Sequence, residues 1–120
     1  MAAMRRKAVA LTELFIELTS PLTRPHGVTL ASPSNPGLRG NQVALRHEHA
    51  YEVMQALAVE DVIGDCRPPD IMRFGFAPLY VRYVDVVRAA DTLSGVLESG
   101  AWLSPRFQSP ATSGSQLLVT

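Results

Sequence analysis

The segment that decides the fold is residues 62–76, VIGDCRPPDIMRFGF. It contains two short apolar runs, Val62–Cys66 and Ile71–Phe76, separated by the four residues RPPD at 67–70. Prolines and an aspartate between two apolar runs are typical of a turn between strands. We therefore expect two short strands that could pair as a hairpin.

Arg73 is the polar residue inside the second apolar run. Strand alternation puts Met72, Phe74 and Phe76 on one face and Arg73 with Gly75 on the other, and Gly75 leaves space beside the guanidinium. An arginine held among apolar residues needs an anionic partner, and its planar fork suits a bidentate carboxylate. The residues leave three roles open for Arg73: ligand binding, an internal salt bridge, or an edge residue whose charge reaches solvent.

Around this hairpin, the spacing of apolar residues predicts three helices and two further strands. In chain order these are a helix over residues 2–18 with its stripe at Leu11, Leu14, Phe15 and Leu18, strands over 28–31 and 41–46, a helix from about residue 50, and a helix with its stripe at Tyr83, Val86, Val87, Ala90, Leu93 and Leu97. This order predicts an α+β fold, in which a small, largely antiparallel sheet is covered by helices on one face. Residues 1–107 are expected to form this domain, and residues 108–120 a disordered tail rich in serine, glycine and proline.

Composition excludes several classes of function. The 120 residues correspond to one domain, and eleven basic and eleven acidic side chains cancel. Zero net charge argues against nucleic acid or an anionic membrane as a partner. The single cysteine, Cys66, excludes an internal disulfide and any multi-cysteine zinc site. Because no apolar run approaches the length of a membrane span, we expect a cytoplasmic protein.

No side chain is predicted to be catalytic from the residues alone. His47 and His49 are two apart and could begin a metal site, but no carboxylate or thiol cluster completes one, so we expect no metal. Cys66 has no neighbour that would activate its thiol. Lys7, the only lysine, lies in a charged first turn and is expected to be a surface residue.

Three stretches carry a resemblance to a known family. Residues 41–47 (NQVALRH), 51–57 (YEVMQAL) and above all 62–80 (VIGDCRPPDIMRFGFAPLY) closely resemble the C-terminal part of bacterial kynureninases. The opening helix and the segment 83–102 are similar to the same part, so the match spans nearly everything from Ala8 to Phe107. Only the final residues look foreign to the family.

The resemblance implies a pyridoxal-phosphate enzyme of the aspartate-aminotransferase fold type. Such an enzyme is a homodimer that hydrolyses L-kynurenine to anthranilate and L-alanine, in tryptophan breakdown and, in some organisms, in NAD synthesis. The C-terminal part of that fold is a small α+β domain packed against a large cofactor domain, which agrees with the predicted architecture. Arg73 matches the segment in which the family's arginine grips the substrate α-carboxylate. Arg39, Asn41 and Tyr80 match segments that approach the active-site side, although Tyr80 could instead pack the turn.

One departure from the family limits what the chain can do. The family's cofactor lysine lies in the large domain, whose motif is absent here, and Lys7 occupies no equivalent position. We therefore expect the chain alone to be inactive and to need a missing large domain or a second subunit. The alternative is a noncatalytic self-associating or regulatory binding module derived from the same fold. The residues leave open whether kynurenine or its 3-hydroxy form is the substrate.

Overall fold

A computed structural model describes residues 2–33, 40–62 and 64–107 of the chain. The predicted tail at residues 108–120 lies outside the described residues. In chain order the helices and strands are α1 (Ala2–Thr19), α2 (Thr23–His26), β1 (Thr29–Leu30), β2 (Gln42–Arg46), α3 (Ala50–Val59), β3 (Asp65–Arg67), β4 (Ile71–Gly75) and α4 (Tyr83–Ser99). This order confirms the predicted succession of elements and adds the short helix α2.

The four strands form one antiparallel sheet in the order β1-β2-β4-β3. Strands β3 and β4 pair as a hairpin across the proline turn, with Arg67 opposite Ile71 and Asp65 opposite Arg73. Strand β2 pairs with β4 along its whole length, and Ala44 lies opposite Arg73. The α+β class and the hairpin are therefore both confirmed, and Arg73 lies in the middle of a central strand.

The two faces of the sheet differ in burial. Val43 and Leu45 of β2 and Met72 and Phe74 of β4 are buried beneath the helices. Arg73 lies on the opposite face, as strand alternation predicted, and this face carries no covering helix from the described residues. The sheet thus presents Arg73 on its open side.

Helix α1 packs across the buried face of the sheet. Leu11 and Phe15 are fully buried, and the Phe15 ring lies 4.9 Å from that of Phe74 and 5.0 Å from that of Phe76, centroid to centroid. The helix ends where the chain tightens into a 3₁₀ turn that contains Pro21. Leu18, predicted to belong to the apolar stripe, is 37% exposed because it lies at the edge of the packed face. Helix α1 therefore supports the strand that carries Arg73.

Helix α4 begins and ends with recognisable caps. The Arg82 backbone N–H donates to the Asp85 carboxylate at 2.8 Å, and Gly100 ends the helix in the left-handed region at φ 73°. The predicted stripe is only partly right, since Tyr83 and Val87 are 48% and 38% exposed. The centre of the buried face is shifted around the helix, so that Tyr83 and Val87 lie beside the residues that face the core. Those core-facing residues are Val86, Ala90, Leu93, Val96 and Leu97.

The helices are amphipathic elements of a folded domain. Their buried residues recur at three- and four-residue intervals, and charged residues occupy the remaining faces. Among the described helices, none combines the length and the apolar character needed to cross a lipid bilayer.

Candidate functional site

Arg73 and Asp65 form a two-pronged ion pair on the open face of the sheet. Arg73 Nε donates to Asp65 Oδ1 at 2.7 Å, and Arg73 Nη2 donates to Asp65 Oδ2 at 2.6 Å. The hydrogen bond from Arg73 lowers the pKa of the Asp65 carboxyl, and the same bond raises the pKa of the Arg73 guanidinium. Both groups are therefore charged at neutral pH. The internal salt bridge that the sequence left open for Arg73 is thus present.

The ion pair leaves part of the guanidinium available. Arginine has five N–H donors, and Asp65 accepts one from Nε and one from Nη2. The two N–H groups that point away from the side chain, one on Nη1 and one on Nη2, form a second bidentate edge. No other hydrogen bond to Arg73 is found in the described parts of the chain, and its side chain is 26% exposed. Among the described residues these two outer donors have no partner, so a second carboxylate can bind them without displacing Asp65.

Small residues surround Arg73 on two sides. A side chain at Gly75 would meet no heavy atom within 4 Å, which agrees with the predicted space beside the guanidinium. Gly64 is different, because a Cβ atom there would collide with the Arg73 carbonyl oxygen and lie 2.8 Å from Met54 Cε. Close backbone contact at Gly64 thus helps to hold the hairpin in place.

Sequence reasoning missed Asp65 and Gly64. A hairpin that turns at residues 68–70 pairs Arg67 with Ile71, and counting outward places Asp65 opposite Arg73. An aspartate and an arginine directly opposite each other on one face form a favourable cross-strand pair. The predicted four-residue turn at 67–70 would instead pair Cys66 with Ile71 and place Gly64 opposite Arg73, so the partner follows only from the three-residue turn that the structure has.

Of the three other predicted site residues, the structure describes Asn41 and Tyr80. Arg39 lies outside the described residues. Asn41 is exposed at the start of β2, where its carbonyl accepts the Phe76 N–H at 2.8 Å. Tyr80 follows β4 in the turn and is 81% exposed, so it does not pack that turn. Within the described residues, neither Asn41 nor Tyr80 contacts the guanidinium through a hydrogen bond.

Lys7, which the sequence indicated as a surface residue, is partly exposed and also makes a hydrogen bond within the fold. Its Nζ donates to the Pro78 carbonyl oxygen at 2.8 Å, and the side chain is half-buried. This bond joins α1 to the turn that follows β4. The only amine side chain of the protein is thus engaged in holding the fold together.

His47 and His49 form an aromatic corner with Trp102. The His49 ring stacks on Trp102 at 4.7 Å between centroids, and the His47 ring meets Trp102 edge-on at 5.7 Å. His47 is 5% exposed, its Nδ1 accepts the His49 backbone N–H at 3.0 Å, and burial lowers its pKa. In the part of the chain that the structure describes, no group of three histidine, cysteine or acidic side chains could hold a metal ion. This corner packs Trp102, which follows α4, against the residues that precede α3.

Cys66 lies on the half-buried side of the β3 strand. Burial raises the pKa of the Cys66 thiol, and the negative charge of Asp65 adds to the same effect. A thiol with a raised pKa is a weak nucleophile at neutral pH. Its environment agrees with the unreactive thiol expected from the sequence.

An apolar patch is exposed at the turn after β4 and along the first two turns of α4. It consists of Leu79, Tyr80, Tyr83, Val84 and Val87, of which Leu79 and Tyr80 are 70% and 81% exposed. The three helical residues lie at i, i+1 and i+4 and so share one side of α4. Grouped large apolar side chains of this kind are a common feature of interaction surfaces.

Comparisons with known proteins agree on one family. The family model described as "Kynureninase C-terminal domain" matches residues 4–93. Kynureninase of Burkholderia mallei (strain SAVP1) is 46% identical over 111 residues, which are 92% of this chain and 27% of that protein. Kynureninase of Pseudomonas fluorescens is 44% identical over 108 residues, 90% of this chain and 26% of that protein. The chain thus spans about a quarter of the length of the curated relatives that it matches.

Proposed function

Because the chain belongs to the kynureninase C-terminal domain family, we propose that it supplies the substrate-carboxylate site of a kynureninase. In this proposal the complete enzyme hydrolyses L-kynurenine to anthranilate and L-alanine in the cytoplasm, within tryptophan breakdown and NAD synthesis. The observation that carries the proposal is Arg73, fixed at the centre of the sheet's open face with one bidentate edge available. A planar guanidinium edge of this kind recognises the α-carboxylate of an amino acid.

The role of Arg73 is to orient the substrate. Two parallel N–H···O bonds fix both the position and the plane of the carboxylate, which limits the rotation of the reacting carbons. Strand β4 is well suited to this task, since it is paired on both sides and Phe74 is anchored in the core. Among the other predicted residues, Asn41 and Tyr80 are exposed, and in this proposal they face the active site of the complete enzyme.

The described residues do not fit pyridoxal phosphate, the cofactor that the family implies. The cofactor needs a lysine amine with a free lone pair, and Lys7 Nζ is bound to the Pro78 carbonyl oxygen at 2.8 Å. No second lysine exists in the sequence. The cofactor, its lysine and the bond-breaking chemistry therefore belong to a part of the enzyme that this chain does not contain, and the chain alone is inactive.

The partner in this proposal is the large domain of a kynureninase, within a homodimer. Roughly three-quarters of the relatives' length has no counterpart in this chain. The exposed apolar patch at Leu79, Tyr80, Tyr83, Val84 and Val87 gives that missing part a surface to pack against. The patch begins four residues after the end of β4, the strand that carries Arg73.

The same patch favours a second candidate function, a self-associating or regulatory module without catalysis. Without a covering domain, exposed apolar residues drive association. Sedimentation of the purified chain separates the two functions. A discrete, concentration-independent oligomer supports the module, whereas a chain that aggregates alone and becomes a defined species only with the large domain supports the enzyme.

The test of the enzymatic function uses a joined enzyme, in which this chain replaces the matching C-terminal quarter of the Burkholderia mallei kynureninase. Release of anthranilate from L-kynurenine is followed by fluorescence. We expect activity, and we expect Arg73→Ala to lower kcat/KM by about 100-fold, because two charge-assisted hydrogen bonds are lost.

Arg46→Ala provides the matched control. Arg46 lies on the same face of the sheet and pairs with Asp70 at 3.2 Å, so its loss removes an arginine and an ion pair but not the proposed site. We expect kcat/KM within about threefold of the parent for this variant. An active joined enzyme in which Arg73→Ala behaves like Arg46→Ala would refute the carboxylate site.

A further inference from the structure

The Asp65–Arg73 pair divides the guanidinium into two edges with different partners. Asp65 occupies the edge formed by Nε and Nη2, at 2.7 and 2.6 Å. The other edge, formed by Nη1 and the second N–H of Nη2, lies at about 120° to the first in the same plane, because the guanidinium is planar and trigonal. An anion on this second edge therefore approaches along a direction that Asp65 fixes.

From this geometry we propose that Asp65 is a positioning residue, which holds Arg73 so that its second edge meets the substrate carboxylate in one orientation. The inference rests on the proposed function of Arg73 and adds a residue to it. Asp65 touches neither substrate nor cofactor and acts only through the guanidinium.

The placement of both residues supports a positioning role. They lie directly opposite each other on paired antiparallel strands, so their Cα atoms are fixed by the backbone ladder. Gly64, which precedes Asp65, packs against the Arg73 carbonyl oxygen so closely that a Cβ atom cannot be accommodated. Both backbones are therefore fixed, and the two hydrogen bonds from Arg73 to Asp65 restrict the rotation of the guanidinium.

A carboxylate this close to Arg73 could also weaken the binding of the substrate carboxylate. Asp65 neutralises part of the charge of Arg73, and a flexible aspartate would compete with the incoming carboxylate for the same donors. The geometry argues against competition, because Asp65 uses the edge that includes Nε, and no described residue makes a hydrogen bond to the outer edge. Fixing a long, flexible arginine before the substrate arrives lowers the entropic cost of binding.

The experiment measures kcat and KM for L-kynurenine in the joined enzyme carrying Asp65→Asn. We expect KM to rise about tenfold while kcat falls less than threefold, since a mobile guanidinium binds the carboxylate less well but still binds it. Asp65→Glu keeps the carboxylate, and we expect its increase in log KM to be at most half of that of Asp65→Asn. Thermal unfolding of each variant reports whether the fold is retained.

Asp70→Asn is the matched control, because it breaks the Arg46 pair on the same sheet without touching Arg73. A merely structural role for Asp65 predicts equal KM changes in the two variants and overturns the inference. A fall in KM for Asp65→Asn also overturns it, since that result means competition. If Arg73→Ala leaves kcat/KM unchanged, the proposed function of Arg73 fails. If Arg73→Ala lowers kcat/KM but Asp65→Asn leaves KM unchanged, only the positioning role of Asp65 fails.

Discussion

Replacing Phe15 by alanine tests how the strand that carries Arg73 is held. The Phe15 ring is fully buried and lies between the rings of Phe74 and Phe76, at 4.9 and 5.0 Å. Both partners belong to the segment that begins with β4, and Phe74 is the residue next to Arg73. The substitution therefore removes the main contact between α1 and the back of the functional strand.

The expected cost follows from the size of the cavity. Truncating a fully buried phenylalanine to alanine costs about 4 kcal/mol, from lost transfer free energy and an unfilled cavity. A domain of this length has a total stability of about 6–18 kcal/mol, so the variant loses a large fraction of it. Leu18→Ala on the same helix is the matched control, because Leu18 is 37% exposed and its truncation costs about 1 kcal/mol.

Urea unfolding of the chain, followed by circular dichroism at a concentration low enough to prevent association, measures both variants. With a denaturant slope near 2 kcal/mol per M, the midpoint for Phe15→Ala falls by about 2 M and that for Leu18→Ala by about 0.5 M. If the two variants lose the same free energy of unfolding, α1 does not pack on the sheet as described. The support of β4 by α1 would then be refuted.

Two further predictions concern local packing and pH. Gly64→Ala is expected to destabilise the chain by about 2 kcal/mol, because the new Cβ atom collides with the Arg73 backbone oxygen. In Gly75→Ala the new Cβ atom meets no neighbour, and the expected cost is less than about 1 kcal/mol. Thermal unfolding compares the two variants. His47 has a folded-state pKa below its ordinary 6.5, chiefly through burial, so the unfolded chain binds more protons and stability falls as pH drops below about 6.5. Urea unfolding between pH 7.5 and 5 measures this slope, which His47→Gln should flatten; an unchanged slope would assign the effect to other groups.

The hairpin and its alternation could be predicted because their causes are local. The RPPD turn and the apolar runs on either side specify two short strands, and a period of two decides which side of β4 each residue occupies. The face on which Arg73 lies was therefore available from the sequence. Its partner Asp65 was not, because the predicted turn at 67–70 is one residue longer than the observed one and shifts the register of the hairpin by one position.

The rotation of α4 and the role of Lys7 could not be predicted in this way. An apolar stripe two residues wide fits the core in more than one rotation, and the contacts with α1 and α3 decide that Val86 rather than Val87 is buried. The bond from Lys7 to Pro78 joins residues 71 positions apart, and no local pattern encodes it. Both features arise from tertiary packing, which sequence spacing does not specify.

The central claim is that Arg73 grips a substrate carboxylate, and a pair of unreactive ligands tests it most directly. The acid 4-(2-aminophenyl)-4-oxobutanoate keeps the carboxylate of L-kynurenine and lacks its α-amine. The ketone 1-(2-aminophenyl)propan-1-one lacks both the carboxylate and the α-amine. Inhibition constants for the two are measured in the joined enzyme and in its Arg73→Ala variant. We predict that the variant binds the acid about 30-fold more weakly and the ketone within twofold of the parent, because only the acid meets the guanidinium edge. Equal losses for both ligands, or no loss for the acid, would contradict the claim.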